Sequence, residues 1–336
     1  MSDQRDERDG QRNRQRSSDR RHAQRRSEPR RTLKIDGVQY EFIECLSLPN
    51  RGRWKVWDPS PSPRGTFYTI IDVAKSKDSL QFRDSLQRLP EDVAGLPRLR
   101  TSKEEGERLM LVVSWCRGTN LEKYFQRVAA NKSFTPCVWE PVRRIRSLAH
   151  LLRLLHRFCR VIHGDIKPAN LILPRDSGTF SLIDFGSSWQ IERTKDRALG
   201  DGVDQYYSAP EVFLDLERVD DRADQFSTAV VLFEMLTLKL PYIGYGGLVG
   251  HPLYRAIEKD YEPPSQLITN AAETPKSILA ELDRIVARAL KPDPKDRYPT
   301  MHAFCDALDG LWARLQAAKQ SSVIDNSKTW WGRIFG

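Results

Sequence analysis

The stretch "VIHGDIKPANLIL", residues 161–173, decides how this chain is read. Apolar residues crowd both ends, Val161 and Ile162 before it and Leu171 to Leu173 after it, as in short buried strands. Between them lie His163, Asp165, Lys167 and Asn170, around Gly164 and Pro168. A packed core does not carry a carboxylate, an ammonium and an amide so close together, because each is costly to bury without a partner. The segment therefore reads as a loop that presents functional groups between two buried runs.

A second stretch has the same character. In "LIDFG", Asp184 follows Leu182 and Ile183 and precedes Phe185 and Gly186. Asp165, Asn170 and Asp184, on short loops after buried strands, make a set of hard oxygen ligands. Magnesium prefers such ligands and usually completes its shell with phosphate oxygens. Lys167 would neutralise charge on a transferred phosphoryl group, and Asp165 would orient a hydroxyl and accept its proton. Phosphoryl transfer asks for these parts, since its catalysis is mostly positioning and charge compensation.

Composition bounds the rest. A chain of 336 residues allows one large domain or two packed lobes. Its net charge of +9 is unevenly spread: residues 1–31 hold eleven Arg against six Asp or Glu, with Met1 and Ala23 as their only apolar residues. Such a segment cannot offset its ordering entropy, so 1–31 is expected to be a disordered Arg-rich tail, solvated or docking on an anionic partner. The remainder is too mildly basic to argue for nucleic acid. Five scattered cysteines, at 45, 116, 137, 159 and 305, show no metal-ligand spacing and read as reduced thiols of a cytoplasmic chain. No apolar run approaches the ~18 residues of a transmembrane span, and the N-terminus is too charged for a signal peptide.

From Leu33 to Cys116 the pattern is strand-rich. "YEFIECLSL", "RWKVWDP", "TFYTIIDVA" and "RLMLVVSWC" read as strands, "PSPSPRG" as a turn, and "SLQFRDSLQRL" as a short helix. Beyond Gly118 the pattern turns helical. Apolar stripes at spacings of three and four run through Val142, Ile145, Leu148, Leu152, Leu155 and Phe158, then from Ala223 to Leu236, Ile278 to Ala289 and Met301 to Leu315. A strand-rich front and a helical back predict two lobes with a ligand site at their junction. The aromatic-basic end "TWWGRIFG" reads as a separate tail that folds back on the body, stays exposed, or lies on a membrane surface.

The motifs, taken together, resemble the eukaryotic-like (Hanks-type) serine/threonine protein kinases. "HGDIKPAN" looks like their catalytic loop, "DFG" like their magnesium motif, and "SAPE" (Ser208 to Glu211) like the end of their activation segment. "DQFSTAVVLFEMLTLKLPY" from Asp224 resembles their central helix, and "DPKDRYPT" carries Arg297, which in the family pairs with the Glu of APE, here Glu211. The resemblance implies an α+β, bilobal kinase-like fold, with a small N-lobe over 32–116, a helical C-lobe over 117–315 and a C-terminal tail over 316–336. It implies ATP and magnesium as cofactors, a protein hydroxyl as substrate, and Asp224 as a brace of the catalytic loop. Asp165 and Lys167 would be catalytic, Asn170 and Asp184 would hold the metal, and Ser114 to Cys116 would form the hinge that meets adenine. His163 would be structural.

The sequence departs from the family at several positions. Gly164 stands where many members have an Arg that pairs with an activation-segment phosphate, so activity here is expected not to depend on that phosphorylation. Asp204 stands where Thr is usual and is expected to repel Asp165. The glycine-rich loop reduces to "SLPNRGRW", with Gly52 as its one Gly and Arg51 or Arg53 meeting phosphate directly. The third-strand lysine is assigned to Lys75 of "VAK", with Asp84 as its helix partner. Spacing from Gly65 points instead to Ile71, which cannot hold a phosphate. Two alternatives remain beside the kinase: a pseudokinase that binds partners without turnover, and a small-molecule phosphotransferase, suggested by "HGD".

Overall fold

The structure is a computed structural model that describes residues 31–46, 52–60, 65–130, 137–174, 179–191, 204–215, 217, 219–268 and 274–335, the last fifteen by backbone alone. The expectations for residues 1–30, for Ser47 to Arg51 and for the side chains of Trp330 and Trp331 lie outside the described residues.

The front half is a six-stranded antiparallel sheet. Its strands are β1 (Thr32–Ile35), β2 (Val38–Cys45), β3 (Arg53–Asp58), β4 (Thr66–Ala74), β5 (Leu99–Glu105) and β6 (Arg108–Ser114), in the order β1-β2-β3-β4-β6-β5. β4 and β6 sit centrally and carry the apolar runs, with Ile70, Leu111 and Val112 essentially inaccessible. One face packs a small cluster of Ile35, Tyr40, Val56, Ile70, Met110 and Val112. The other face, with Ile71, Leu109 and Leu111, joins the main core through helix α1 (Lys77–Gln87). α1 starts where it does because Ser76 and Ser79 cap each other reciprocally, each side-chain oxygen accepting the other's backbone N–H.

The back half is built on helices. α2 is Leu121–Ala130, α3 Trp139–Leu154, α4 Pro210–Leu214, α5 Arg222–Thr237, α6 Lys276–Ala289 and α7 Met301–Phe335. α5 is buried nearly all round, from Ala223 through Phe233, which makes it the axis on which α3, α6 and the loops pack. Short strand pairs lie between the halves: β7 (Thr119–Asn120) and β10 (Ser181–Leu182) flank β9 (Leu171–Leu173), and β8 (Val161–Ile162) pairs with β11 (Trp189–Gln190). These pairs fix both loops identified from sequence: 163–170 runs between β8 and β9, and 183–188 between β10 and β11.

Three expectations need correction. Phe158 is 73% exposed, although the stripe predicted it buried. After Leu154 the helix widens into a π-turn, Leu155–Cys159, which rotates Phe158 off the core face before Arg160 ends it in a left-handed conformation. The segment 316–335 is not a separate tail by backbone: α7 runs on unbroken to Phe335, with no proline after Met301 to stop it. And Arg31, assigned to the disordered tail, packs its guanidinium over the rings of Phe42 and Trp54.

Arg297 and Glu211 tie α4 to the loop before α7. Both are almost inaccessible, and they form a bidentate pair at 2.7 and 2.8 Å. Arg297 also donates to the carbonyls of Lys291, Arg222 and Pro292. Removing one member of such a pair leaves a buried charge unmatched, which costs about 3–5 kcal/mol. Arg297→Ala should lower unfolding stability in urea by that amount, and a change below about 1 kcal/mol would show that the pair is not structural.

Candidate active site

The site begins with Asp224, fully buried in the first turn of α5. Its carboxylate accepts from the backbone N–H groups of His163 (2.9 Å) and Gly164 (2.8 Å) and contacts His156 Nε2 at 2.8 Å. Burial raises the pKa of the Asp224 carboxyl, but these hydrogen bonds and the nearby imidazoles outweigh it and hold the group below its usual range. The catalytic-loop candidate is thus bolted to the core helix through its own backbone. His163 is structural, as expected: its ring meets Phe185 edge-on with centroids 4.7 Å apart, and its Nε2 contacts the Ile183 carbonyl. It thereby links the two loops.

Gly164 has φ +75°, and a Cβ there would lie 2.0 Å from the Trp189 ring. The departure from the family pattern therefore has a physical partner: Trp189, 1% exposed, occupies the space above Gly164. Positive φ alone costs a non-glycine residue about 1–2 kcal/mol. Gly164→Ala should destabilise the fold by more than that in denaturant titration; a loss confined to about 1–2 kcal/mol would mean that the Trp189 ring moves aside, and an unchanged midpoint would contradict the left-handed conformation as well.

Asp165, Lys167 and Asn170 come together through side-chain bonds, and Asn170 and Asp184 line the cleft. Asn170 Nδ2 donates to the Asp165 backbone oxygen and to Asp165 Oδ2, both at 2.8 Å, and Lys167 Nζ lies 3.0 Å from the same Oδ2. The other oxygen, Asp165 Oδ1, is buried with no hydrogen-bond partner among the described residues. Burial raises the Asp165 pKa, and Lys167 offsets part of the rise. The repulsion expected from Asp204 is not the cause: Lys167 stands between the two carboxylates, 3.9 Å from Asp204 Oδ2.

Asp184 sits at φ +63°, turned into the cleft. Both its oxygens are held by Arg53 of β3, at 2.6 Å each. Burial acts to raise its pKa, yet the Arg53 guanidinium and the Gly186 N–H bring it below the usual carboxylate range. Among the described residues no group of three or more His, Cys, Asp or Glu has metal-ligand geometry. A cation here would have Asn170 Oδ1 and Asp184 from the protein and would need further oxygens from a ligand, as magnesium bound to a triphosphate has.

The cleft between the lobes has a volume of about 630 Å³, lined by Arg53, Ile71, Phe82, Cys116, Asn170 and Asp184 among others. Ser114 and Cys116 both line it. The Ser114 N–H is already donated to the Arg98 carbonyl and its hydroxyl accepts from the Arg98 N–H, so Ser114 ties strands together. Burial pushes the Cys116 thiol up to about 11.

Two assignments do not fit. Lys75 lies beyond the end of β4, its Nζ 2.6 Å from Glu104, and does not line the cleft. Its expected partner Asp84 pairs with its neighbour Arg83 on the outer side of α1. The reason is register: Arg53 pairs with Ile71 across β3 and β4, so β4 lines the cleft through Thr69 and Ile71, and Lys75 is four residues past Ile71. Gly52 does not line the cleft either. Its φ of +55° and a Cβ that would meet the Asp72 carbonyl at 2.0 Å give it a backbone role at the start of β3.

Comparison with known proteins agrees with this geometry. The description "Protein kinase domain" matches residues 86–308, more than half of the chain, which therefore belongs to the protein kinase family. The chain is 28% identical over 259 residues to serine/threonine-protein kinase PknJ of Mycobacterium tuberculosis, covering 73% of this chain and 40% of the relative. It is 35% identical over 144 residues to PknB of Mycolicibacterium smegmatis, covering 42% and 21%. A third relative, tyrosine-protein kinase MasK of Myxococcus xanthus, is 35% identical over 150 residues, covering 44% and 22%. The alignments thus take in less than half the length of each relative. Among solved structures, the kinase domain of Mycobacterium tuberculosis PknI, crystallised as a double mutant, superposes with a TM-score of 0.57 at 21% identity, over 83% of this chain and 97% of that one, and this supports the fold.

Proposed function

We propose that this chain is a protein serine/threonine kinase that uses ATP and magnesium. The observation that carries the reading is Asp165 Oδ1, a buried carboxylate oxygen without a partner among the described residues, beside an Oδ2 that Asn170 and Lys167 both hold. An unmatched buried acceptor costs about 1–3 kcal/mol, and it persists here because Asn170 and Lys167 pin the other oxygen and Asp224 pins the backbone. That oxygen suits the proton of an incoming hydroxyl.

ATP supplies the phosphoryl group and magnesium neutralises the charge of its phosphates. Asp165 aligns the acceptor hydroxyl and takes its proton as the new O–P bond forms and the bond to the ADP leaving group breaks. Lys167, beside Asp165, places a positive charge next to the transferred group. Asn170 and Asp184 supply protein oxygens for the metal. No helix among the described residues is long and apolar enough to cross a membrane.

Asp165→Asn keeps the shape of the side chain but removes its basicity, and general-base contributions amount to about 10²–10⁴-fold. With γ-labelled ATP, magnesium and a generic protein acceptor, label transfer should fall by at least a hundredfold while nucleotide affinity stays within about twofold. Transfer at the wild-type rate would show that Asp165 is not the base, and no transfer by the wild type would favour a nucleotide-binding role without turnover.

A further inference from the structure

Two residues of β4 line the cleft, Thr69 and Ile71, and neither is a lysine. Ile71 belongs to the main apolar core together with Phe82 and Leu86 of α1, which line the same cleft. Strand and helix therefore meet there through hydrocarbon, and no cation from β4 reaches the phosphate side. The neighbouring strand supplies one. Arg53 is the direct cross-strand partner of Ile71 in an antiparallel pair. Directly opposed residues project to the same face with their Cα atoms about 5 Å apart. Both side chains line the cleft, and the Arg53 guanidinium extends across it to Asp184. The aliphatic stem of an arginine spans such a gap, and its planar fork suits phosphate as well as carboxylate.

We infer that Arg53 is the phosphate-anchoring cation of this site, supplied from β3 in place of a lysine on β4. Without nucleotide its two N–H donors hold the Asp184 carboxylate, which keeps an acidic, largely buried side chain matched. With nucleotide the same fork lies within reach of phosphate oxygens beside the oxygens of Asp184 and Asn170. Arg53 is one strand away from the expected lysine position but on the same face, so its charge enters the cleft from nearly the same direction. Burial disfavours a charged Arg53, but the Asp184 bond and the Asp184 and Asp165 charges favour it more strongly.

The inference rests on the nucleotide reading above, but it is tested by equilibrium binding and not by turnover, so the two can fail separately. Dissociation constants of the full chain are measured calorimetrically for magnesium-ATP and for adenosine, which lacks phosphates. Arg53→Met should weaken ATP at least tenfold and leave adenosine within twofold. Arg53→Lys should retain most of the ATP affinity. The double variant Arg53→Met/Ile71→Lys, which moves the cation across the strand pair, should recover ATP affinity to within about threefold of wild type. ATP affinity unchanged in Arg53→Met would overturn the assignment. So would equal losses for ATP and adenosine, since Arg53 would then only shape the cleft. Failure of the double variant to recover would overturn the equivalence of the two positions. A wild-type chain that binds no ATP would overturn the inference together with the nucleotide reading.

Discussion

The bonds from the Asp224 carboxylate to the His163 and Gly164 N–H groups are what the rest of the site depends on. A carboxylate with no access to water is tolerated only when its oxygens are matched, and here two backbone donors and an imidazole match them. The consequence reaches beyond one residue. Fixing two consecutive N–H groups of a loop fixes the direction in which Asp165 leaves it. His163 carries the constraint on to the Ile183 carbonyl, one residue before Asp184. Two loops from different strand pairs are thereby held in one register by a single helix that is itself the centre of the core.

On that frame the charges follow a simple pattern. Asp165 has one oxygen bonded and one open, whereas Asp184 has both oxygens taken by Arg53. The first is arranged to meet a donor, and the second is matched until another cation competes for it. Lys167 lies between Asp165 and Asp204 and places one positive charge against both carboxylates. At Gly164 the Trp189 ring fills the space that a side chain would need, so the segment after Asp184 packs through Trp189 against the 163–170 loop.

Much of this was legible in the sequence, because the polar residues stand out against apolar runs. "HGDIKPAN" and "DFG" break hydrophobic strands, and no packing argument accounts for them otherwise. The strands "TFYTIIDVA" and "RWKVWDP" were legible too, through β-branched and aromatic residues. β1 and β5 were not, since "LRTSKEE" is an edge strand almost without apolar residues and periodicity has nothing to report there. Phe158 misled because a 3.6-residue period was extended through a π-turn that no residue type announces. Lys75 sits in a "VAK" tripeptide, but the hairpin register excludes it from the cleft: Asp58 pairs with Thr66, so five steps back and five steps on bring Arg53 opposite Ile71. What sequence could not give is the reach of Arg53 to Asp184, which are 131 positions apart. That contact depends on how the lobes meet. Trp189 over Gly164 is hidden for the same reason.

The most direct test of the account is a crystal structure of the full chain with magnesium and a non-hydrolysable ATP analogue. The account predicts that the Arg53 guanidinium leaves Asp184 for phosphate oxygens, that Asp184 and Asn170 Oδ1 ligate the metal, and that the bonds of Asp224 to His163 and Gly164 are unchanged. A nucleotide bound in the cleft with the Arg53–Asp184 pair intact, and no metal on Asp184, would contradict it.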